Sequence, residues 1–288
     1  MGKDPFDLLL SLRAASSFTG RSEPKVLRIA ARVEHKPVVI EVRQTGKSPP
    51  VLEVTSSSEL SRPVREMAAY VLNADFDLTP FYRVASRDRR LRPIVRELWG
   101  LRPFRPASLF EMLVIAITEQ QISMRVAEVM REKLTARFGD VVDGTPVFPD
   151  ESALKAATIR ELRRCGLSHR KAEYVRDLSR MVASGKLDLE RLRGLSDEEA
   201  FQALTQIRGV GPWTADYVLV RGLGRVDRVP VEDLGIRGVV GKYLGRGHRV
   251  EDPDEVLPLL QPFAPYRGLA AYYLLVHDRL GRPTAKRK

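Results

Sequence analysis

Hydrophobic and polar positions alternate over short runs in the first part of the chain, whereas further on the apolar residues recur at helical spacing. The short runs are rich in Val and Ile, which is typical of β-strands; they cover residues 6–12, 26–33, 38–42 and 51–54. His35-Lys36-Pro37 separates the middle two and predicts a hairpin turn. A helical pattern over residues 63–72 follows. Together these patterns predict a small antiparallel sheet packed with a helix or two.

From Ser108 onward, apolar residues every three to four positions predict a succession of helices. Ser108 with Glu111, and Ser196 with Glu199, have the spacing of N-terminal capping boxes. The predicted helices cover residues 123–138, 151–157, 169–183, 198–207, 213–221, 254–261 and 267–279. The fold class expected is therefore α+β, with a β-rich N-terminal domain over residues 1–88 and an α-helical domain over residues 89–288.

An arginine-rich segment joins the two parts of the chain. Between residues 79 and 106, eight arginines crowd together: Arg83, Arg87, Arg89, Arg90, Arg92, Arg96, Arg102 and Arg105. Such a run is typical either of a surface that faces DNA or of a solvated connector, and the sequence leaves both interpretations open.

Charge and cysteine content narrow the function. The chain carries 48 Lys and Arg against 37 Asp and Glu, and its net charge of +11 suits a polyanionic partner, although an arginine-rich proteome would give the same excess. Cys165 is the only cysteine, which excludes an internal disulfide and a four-cysteine iron–sulfur cluster. The four histidines lack metal-ligand spacing. No apolar run approaches the about 20 residues that span a bilayer, so we expect a cytoplasmic protein, nucleoid-associated if prokaryotic.

Residues 204–216 predict two helices joined by a Gly209-Val210-Gly211 hairpin, with Pro212 at the first position of the second helix. Two glycines around one apolar residue permit unusual φ angles and leave backbone N–H groups uncovered. Such groups beside a helix N-terminus can bind one phosphate oxygen. Taken alone, the motif is more typical of an ordinary helix stop than of a phosphate site.

A second motif, residues 227–236, places Asp233 shortly after Pro230. An aspartate in such a turn is a common helix N-cap. Together, LxxIxGVGxWTA at residues 204–215 and DxxPxxDLGI at residues 227–236 resemble the helix-hairpin-helix DNA glycosylases, specifically their alkylbase (3-methyladenine, type II) branch. Residues 116–123, 165–172 and 265–267 resemble further landmarks of that branch in the same order. The likeness covers residues 101–280, while only the β-rich character of the preceding residues matches.

The resemblance implies that Asp233 is the catalytic residue. Cleavage of an N-glycosidic bond builds positive charge on the deoxyribose, and a nearby carboxylate stabilises that charge and orients the attacking water. Asp216 is a weaker rival for the role of base. Bifunctional members of the superfamily carry a lysine two residues after the second hairpin glycine, where this chain has Trp213. Without an amine to form a Schiff base there, a monofunctional enzyme is expected.

Other site residues are also implied by the resemblance. The base pocket would comprise Trp213, Tyr217 and Tyr266. Relatives often have tryptophan at the position of Tyr266. For Tyr217, packing in the core is the alternative. In these enzymes the damaged base turns out of the DNA stack, and a protein side chain is inserted in its place. Gln121 matches the position of that inserted side chain, and Ile122 is the alternative. The DNA-binding hairpin would comprise Arg208, Gly209, Val210, Gly211 and Thr214. Phosphate contacts are expected from His169, Arg170 and Lys171, unless these only form a solvated helix start.

The function that follows is removal of alkylated bases of the 3-methyladenine type, which leaves an abasic site for base excision repair. The expected partner is double-stranded DNA that contains damaged bases, bound by a monomer. No cofactor and no metal are expected in catalysis, with room for a structural monovalent cation at the hairpin. Two alternatives remain open from the sequence: a glycosylase for deaminated bases such as hypoxanthine or uracil, and a non-catalytic helix-hairpin-helix module.

Overall fold

The computed structural model describes residues 5–19, 25–47, 50–245 and 247–281. The helices are α1 (Leu8–Thr19), α2 (Arg62–Val71), α3 (Thr79–Ala85), α4 (Leu91–Glu97), α5 (Leu109–Glu119), α6 (Met124–Phe138), α7 (Glu151–Ala156), α8 (Ile159–Arg164), α9 (His169–Ala183), α10 (Asp197–Thr205), α11 (Pro212–Arg221), α12 (Leu234–Leu244), α13 (Val256–Leu260) and α14 (Arg267–Leu280). The strands are β1 (Leu27–Val33), β2 (Lys36–Lys47), β3 (Pro50–Ser56), β4 (Asp140–Val142) and β5 (Thr145–Val147). All strand pairs in the described ranges are antiparallel, and the predicted α+β class is confirmed.

The N-terminal sheet has the strand order β1-β2-β3. Ile29, Ala31 and Val33 alternate as buried positions along β1, as the polar and apolar pattern predicts. The predicted hairpin between β1 and β2 is present, but its turn consists of Glu34 and His35, which both have positive φ. Two central residues with positive φ match the right-handed twist of the strands. Lys36 and Pro37 already belong to β2.

Residues 6–12, predicted as a strand, are helical from Leu8 onward, so that prediction was wrong. A short apolar run fits a buried helix as well as a strand. Here Asp7 decides between them, because its Oδ1 accepts a hydrogen bond from Leu10 N at 2.8 Å, as an N-cap does. Leu8 and Leu12 of α1 pack in the sheet core, and Ala14 packs against the C-terminal helices.

The helices pack around two further cores. One joins α5 to α9, α10 and α11, and it contains the buried Leu113, Val175 and Leu204. The other joins α3 and α4 to α12, α13 and α14, where the rings of Phe81 and Tyr273 lie 4.9 Å apart. The described part of the chain has no helix long and apolar enough to cross a lipid bilayer.

The arginine-rich segment is not a simple connector, since α3 and α4 occupy half of it. Six of its eight arginines are exposed: Arg83, Arg87, Arg89, Arg90, Arg92 and Arg96. Arg102, by contrast, is 2% exposed, and its Nη1 donates to the carbonyl oxygens of Asn73 and Phe76, each at 2.6 Å. Its backbone N–H donates to Ser11 Oγ at 2.9 Å. Arg102 therefore ties α1 to the loop after α2 and is not available to DNA.

Replacement of Arg102 by methionine is expected to lower the free energy of unfolding by about 2–4 kcal/mol, because buried carbonyl groups lose a charged donor. Arg96→Met is the matched control, since Arg96 is exposed on α4; its expected effect is below about 0.5 kcal/mol. Urea denaturation followed by circular dichroism measures both. Equal midpoints for the two variants would show that the buried guanidinium contributes nothing.

Candidate active site

Asp233 lies where the segment after α11 turns into α12, and it forms the N-cap of that helix. Its Oδ1 accepts hydrogen bonds from Gly235 N at 2.8 Å and Ile236 N at 3.0 Å. Its Oδ2 accepts a third from Trp213 Nε1 at 3.2 Å. The side chain is thus both a helix cap, as the simpler interpretation of the sequence expected, and a carboxylate held in one orientation by three donors.

The hairpin between α10 and α11 has the predicted helix-turn-helix form. Val210 N donates to Ile207 O at 2.9 Å and closes the turn, with the Val210 side chain buried. Gly209 adopts a φ of +90°, whereas Gly211 has an extended backbone with a φ of −91° and caps α11. Only the first of the two glycines therefore needs the conformational freedom that the sequence assigned to both.

A cavity of about 240 Å³ opens beside Asp233. The rings of Trp213 and Tyr217 stack along one wall, with centroids 5.2 Å apart and planes 20° apart. Phe18 of α1 and Tyr272 of α14 form another aromatic wall, with centroids 6.5 Å apart and planes 14° apart. A flat, electron-poor ring would fit between such surfaces through stacking.

The cavity adjoins a wider groove of about 1090 Å³ that reaches the hairpin. Five residues line both spaces: Glu119, Ile122, Trp213, Asp233 and Gly235. The carboxylate of Asp233 therefore lies at the boundary between an open groove and a small aromatic cavity.

Burial sets the electrostatics of this cavity. Glu119 is 8% exposed and forms an ion pair with Arg131, with Oε1 and Nη1 2.9 Å apart. Burial, with a smaller contribution from the Glu119 charge, raises the pKa of the Tyr217 hydroxyl well above its usual value. Burial also raises the pKa of Tyr272 to about 12. Both phenols, which are neutral near pH 7 even at their usual pKa, therefore stay neutral further into the alkaline range and keep their O–H groups as donors.

Residues 114–265, more than half of the chain, match the family model described as the HhH-GPD superfamily of base excision DNA repair proteins. The chain belongs to this superfamily. The DNA-3-methyladenine glycosylase of Bacillus subtilis (strain 168) is 33% identical over 226 residues, which are 74% of each protein.

Two solved structures extend the comparison. The HhH-GPD fold of this chain superposes on a 3-methyladenine DNA-glycosylase from Archaeoglobus fulgidus with a TM-score of 0.85, at 28% identity and over 97% of each chain. A 3-methyladenine DNA glycosylase of Schizosaccharomyces pombe (Mag1), in complex with abasic DNA, superposes with a TM-score of 0.62 at 28% identity. That match covers 70% of this chain and 98% of the other.

The HhH-GPD site brings together Trp213, Tyr217 and Asp233, but the predicted pocket residue Tyr266 does not line the cavity. Tyr266 precedes α14, and its ring packs against Phe76 at 6.5 Å and Phe81 at 6.0 Å. The aromatic residue that α14 does contribute is Tyr272, which the resemblance did not place in the pocket. The face of α14 that lines the cavity begins only inside the helix and contains Gly268, Ala271, Tyr272, Leu275 and Arg279.

The two candidates for insertion into DNA lie in the HhH-GPD groove, at the turn between α5 and α6. Gln121 is exposed at the groove and has a φ of +57°. Ile122 lines the groove and the cavity together. Both residues lie at the groove, as a side chain that inserts into DNA must, and the choice between them stays a prediction.

Two of the predicted DNA contacts, Lys171 and Thr214, turn inward. The Lys171 ammonium donates to Thr118 O at 3.0 Å and Gln120 O at 2.6 Å, and burial lowers its pKa. Thr214 is 2% exposed and accepts from Gln120 Nε2 at 3.0 Å. Arg208 forms ion pairs with Asp177 at 2.7 Å and Glu173 at 3.0 Å. Lys171 and Thr214 thus brace the hairpin and its surroundings from within the protein, whereas Arg208 is exposed and its guanidinium is paired with carboxylates on the surface.

His169 and Arg170, the other two predicted phosphate contacts, are exposed at the start of α9. Asp216 and Asp227, two other carboxylates of the motif region, are in ion pairs. Arg228 Nε lies 2.9 Å from Asp216 Oδ1, and Arg267 Nε lies 2.9 Å from Asp227 Oδ1. Neither aspartate lines the cavity or the groove, so the described geometry favours Asp233 over Asp216.

Among the cavity residues to which the sequence gave no function, three are aromatic or acidic: Phe18, Glu119 and Tyr272. Glu119 immediately precedes the glutamine pair of a recognised motif, so its position was available as a signal. Phe18 gives no such signal, because only the fold brings α1 to a cavity formed otherwise by the helical part of the chain.

Proposed function

We propose that this chain is a DNA glycosylase that hydrolyses the N-glycosidic bond of alkylated bases of the 3-methyladenine type. The similar proteins from Bacillus subtilis and Archaeoglobus fulgidus are named 3-methyladenine DNA glycosylases, which supports alkylated bases as the substrate class. The complex of the Schizosaccharomyces pombe relative supports DNA as the partner. Because the described carboxylate, cavity walls and hairpin all come from one chain, a monomer suffices for the reaction.

One observation carries the proposal: the fixed carboxylate of Asp233 lies between the groove and the aromatic cavity. With DNA in the groove and one base turned into the cavity, the sugar of that nucleotide would lie beside Asp233. As the bond to the base breaks, the negative charge stabilises the positive charge that develops on the sugar, and the carboxylate orients a water molecule for attack.

The three donors on Asp233 have a catalytic consequence. They hold the charge in place before the reaction, so little reorganisation is needed when the sugar becomes positive. An alkylated purine already carries positive charge and leaves readily, so the walls of Trp213 and Tyr217 need only bind it by stacking and cation–π attraction. The proposed reaction uses only residues of this chain and water.

Monofunctional hydrolysis is part of the proposal. No lysine is among the described residues that line the groove or the cavity, and Trp213 occupies the position of the lysine in bifunctional members. Borohydride treatment during the reaction is expected to trap no covalent protein–DNA adduct, because there is no amine to form a Schiff base. Denaturing gel electrophoresis measures the adduct, with a lyase-type glycosylase as the positive control. A trapped adduct would contradict monofunctional hydrolysis.

Deaminated bases are the second candidate substrates. Arg221 and Arg279 both line the cavity. A guanidinium is a donor for the carbonyl oxygen that hypoxanthine and uracil present in place of an amino group. A non-catalytic DNA-binding module, the third interpretation, gives no reason for a fixed carboxylate beside an aromatic cavity.

The test of the proposed function is chromatography of the bases that the wild-type protein frees from methylated duplex DNA. Methylated purines in the soluble fraction are expected. Release of hypoxanthine or uracil alone, from duplexes that contain them, would establish the second candidate. No release from any of these duplexes, with binding intact, would leave the non-catalytic module.

A further inference from the structure

The turn that presents Gln121 and Ile122 to the groove is held from one side by a lysine of another helix. Lys171, in the first turn of α9, donates from Nζ to Thr118 O at 3.0 Å and to Gln120 O at 2.6 Å. These carbonyl groups end α5, where a helix has no further N–H partners for them and where a positive charge is favourable. The ammonium thus fixes the direction in which the chain leaves α5.

From the other side, the same turn is tied to the DNA-binding hairpin. Gln120 Nε2 donates to Gly209 O at 2.8 Å and to Thr214 Oγ1 at 3.0 Å. Gly209 is the hairpin residue with positive φ, and Thr214 lies in the first turn of α11. Gln120 therefore accepts a hydrogen bond from Lys171 through its backbone carbonyl group and donates hydrogen bonds to the hairpin through its side chain.

The turn itself is strained where it meets the groove. Gln121 has a φ of +57°, a left-handed conformation that is unfavourable for a residue with a Cβ atom. Such conformations persist only where the surrounding structure determines them, and they are frequent at functional sites. The bonds of Lys171 and Gln120 on the residue before Gln121 supply that constraint.

We propose that Lys171 and Gln120 are positioning residues that lock the insertion turn, Gln121 and Ile122, to the hairpin as one rigid unit. Binding of a phosphate at the hairpin then places the insertion turn at the stacked bases in the same step. A side chain can replace an extruded base only if it is held against the duplex, since extrusion costs stacking and pairing energy. This inference rests on the proposed base-flipping function.

If the two residues lock the turn in this way, the loss of excision rate in their variants should depend on how stably the damaged base is paired. Lys171→Met and Gln120→Met keep the side-chain length and remove the donors. With one 7-methylguanine opposite cytosine, the single-turnover excision rate of each variant is expected to fall about 10- to 100-fold, as misplacement of a few tenths of an ångström to one ångström does. Opposite an abasic analogue, where no pair has to be broken, the rate is expected to remain close to wild type.

Arg170→Met is the matched control, because it removes the same charge from an exposed neighbour on α9. It is expected to change the rates on both duplexes by the same factor. Circular dichroism and thermal unfolding of all variants exclude loss of fold. If Lys171→Met lowers both rates equally, or lowers neither, the lock plays no part in flipping and the proposal is overturned.

A binding readout separates this inference from the proposed chemistry. In an Asp233→Asn background, 2-aminopurine placed next to the lesion reports unstacking by its fluorescence without base release. Binding of the Asp233→Asn protein to this duplex is expected to raise the fluorescence. Binding of the double variant, Asp233→Asn with Lys171→Met, is expected to give no rise. If wild type frees no base but the fluorescence behaves as expected, the proposed reaction fails while the lock stands. An unchanged fluorescence rise with Lys171→Met contradicts the lock, whatever the enzyme excises.

Discussion

Asp233→Asn is expected to lower the single-turnover rate of base release by about 10²- to 10³-fold, the loss typical of removing one preorganised electrostatic group. The substitution is well suited to the question, because asparagine caps helices as well as aspartate does. Its side-chain oxygen can still accept from Gly235 N and Ile236 N, so α12 is expected to keep its start. What disappears is the negative charge next to the sugar, together with the hydrogen bond that Oδ2 accepts from Trp213 Nε1.

Glu232→Gln is the control for this variant. It removes one negative charge from the adjacent residue, which is exposed and lines only the groove. Its excision rate is expected to stay close to wild type, and the affinity of both variants for DNA is expected to remain the same or to rise slightly, because a charge that repels phosphate is gone. An equal rate loss in both variants would mean that general electrostatics, and not the position of Asp233, governs the reaction.

Gly209→Ala is expected to lower the free energy of unfolding by about 2–5 kcal/mol and to weaken DNA binding. A Cβ atom at Gly209 would lie 2.4 Å from the ring of Tyr174, and the φ of +90° is unfavourable for alanine. Backbone strain of about 1–2 kcal/mol and overpacking of about 1–3 kcal/mol add up to this loss. Thermal unfolding and fluorescence anisotropy with labelled duplex DNA measure the two effects.

Gly211→Ala gives the comparison within the same motif. A Cβ atom there would meet nothing within 4 Å, and the backbone is extended. Its unfolding midpoint is expected to match wild type, although its methyl group can crowd a phosphate and weaken DNA binding. Equal stability loss in the two variants would show that the hairpin treats its glycines alike, contrary to the described geometry.

Periodicity and capping residues predicted most of the helical part of the chain. Ser196 caps α10 as expected, and the Ser196–Glu199 capping box is complete; Ser123, predicted as the first residue of its helix, is the N-cap of α6. At Ser108 only half of the box forms, because the Glu111 carboxylate accepts from Ala107 N instead. Local hydrogen-bonding rules therefore located helix starts well, since the groups involved are close in sequence.

Where prediction failed, the deciding contacts are distant in sequence. Residues 6–12 contain an apolar run that fits either type of element, and Arg102 is buried by carbonyl groups about thirty positions away. Lys171 likewise finds its acceptors on another helix, more than fifty positions earlier. Nothing in the spacing of a charged residue tells whether it faces DNA or a buried carbonyl group.

For the site, the sequence indicated the motifs better than the cavity. Asp233, Trp213 and the hairpin occupy short segments with defined geometry, so their proximity followed from the motif resemblance. The aromatic walls depend on which face of α14 and which end of α1 the packing presents. This is why Tyr266 was assigned to the pocket and Tyr272 and Phe18 were not.

The most direct test of the central claim compares wild type and Asp233→Asn on one duplex with a single alkylated purine, with binding and free base measured in the same samples. We predict that both proteins bind the duplex and that only wild type produces free base and an abasic site at an appreciable rate. Release of the base by Asp233→Asn at the wild-type rate would contradict the account, because the fixed carboxylate would then not be the group that stabilises the departing base's sugar.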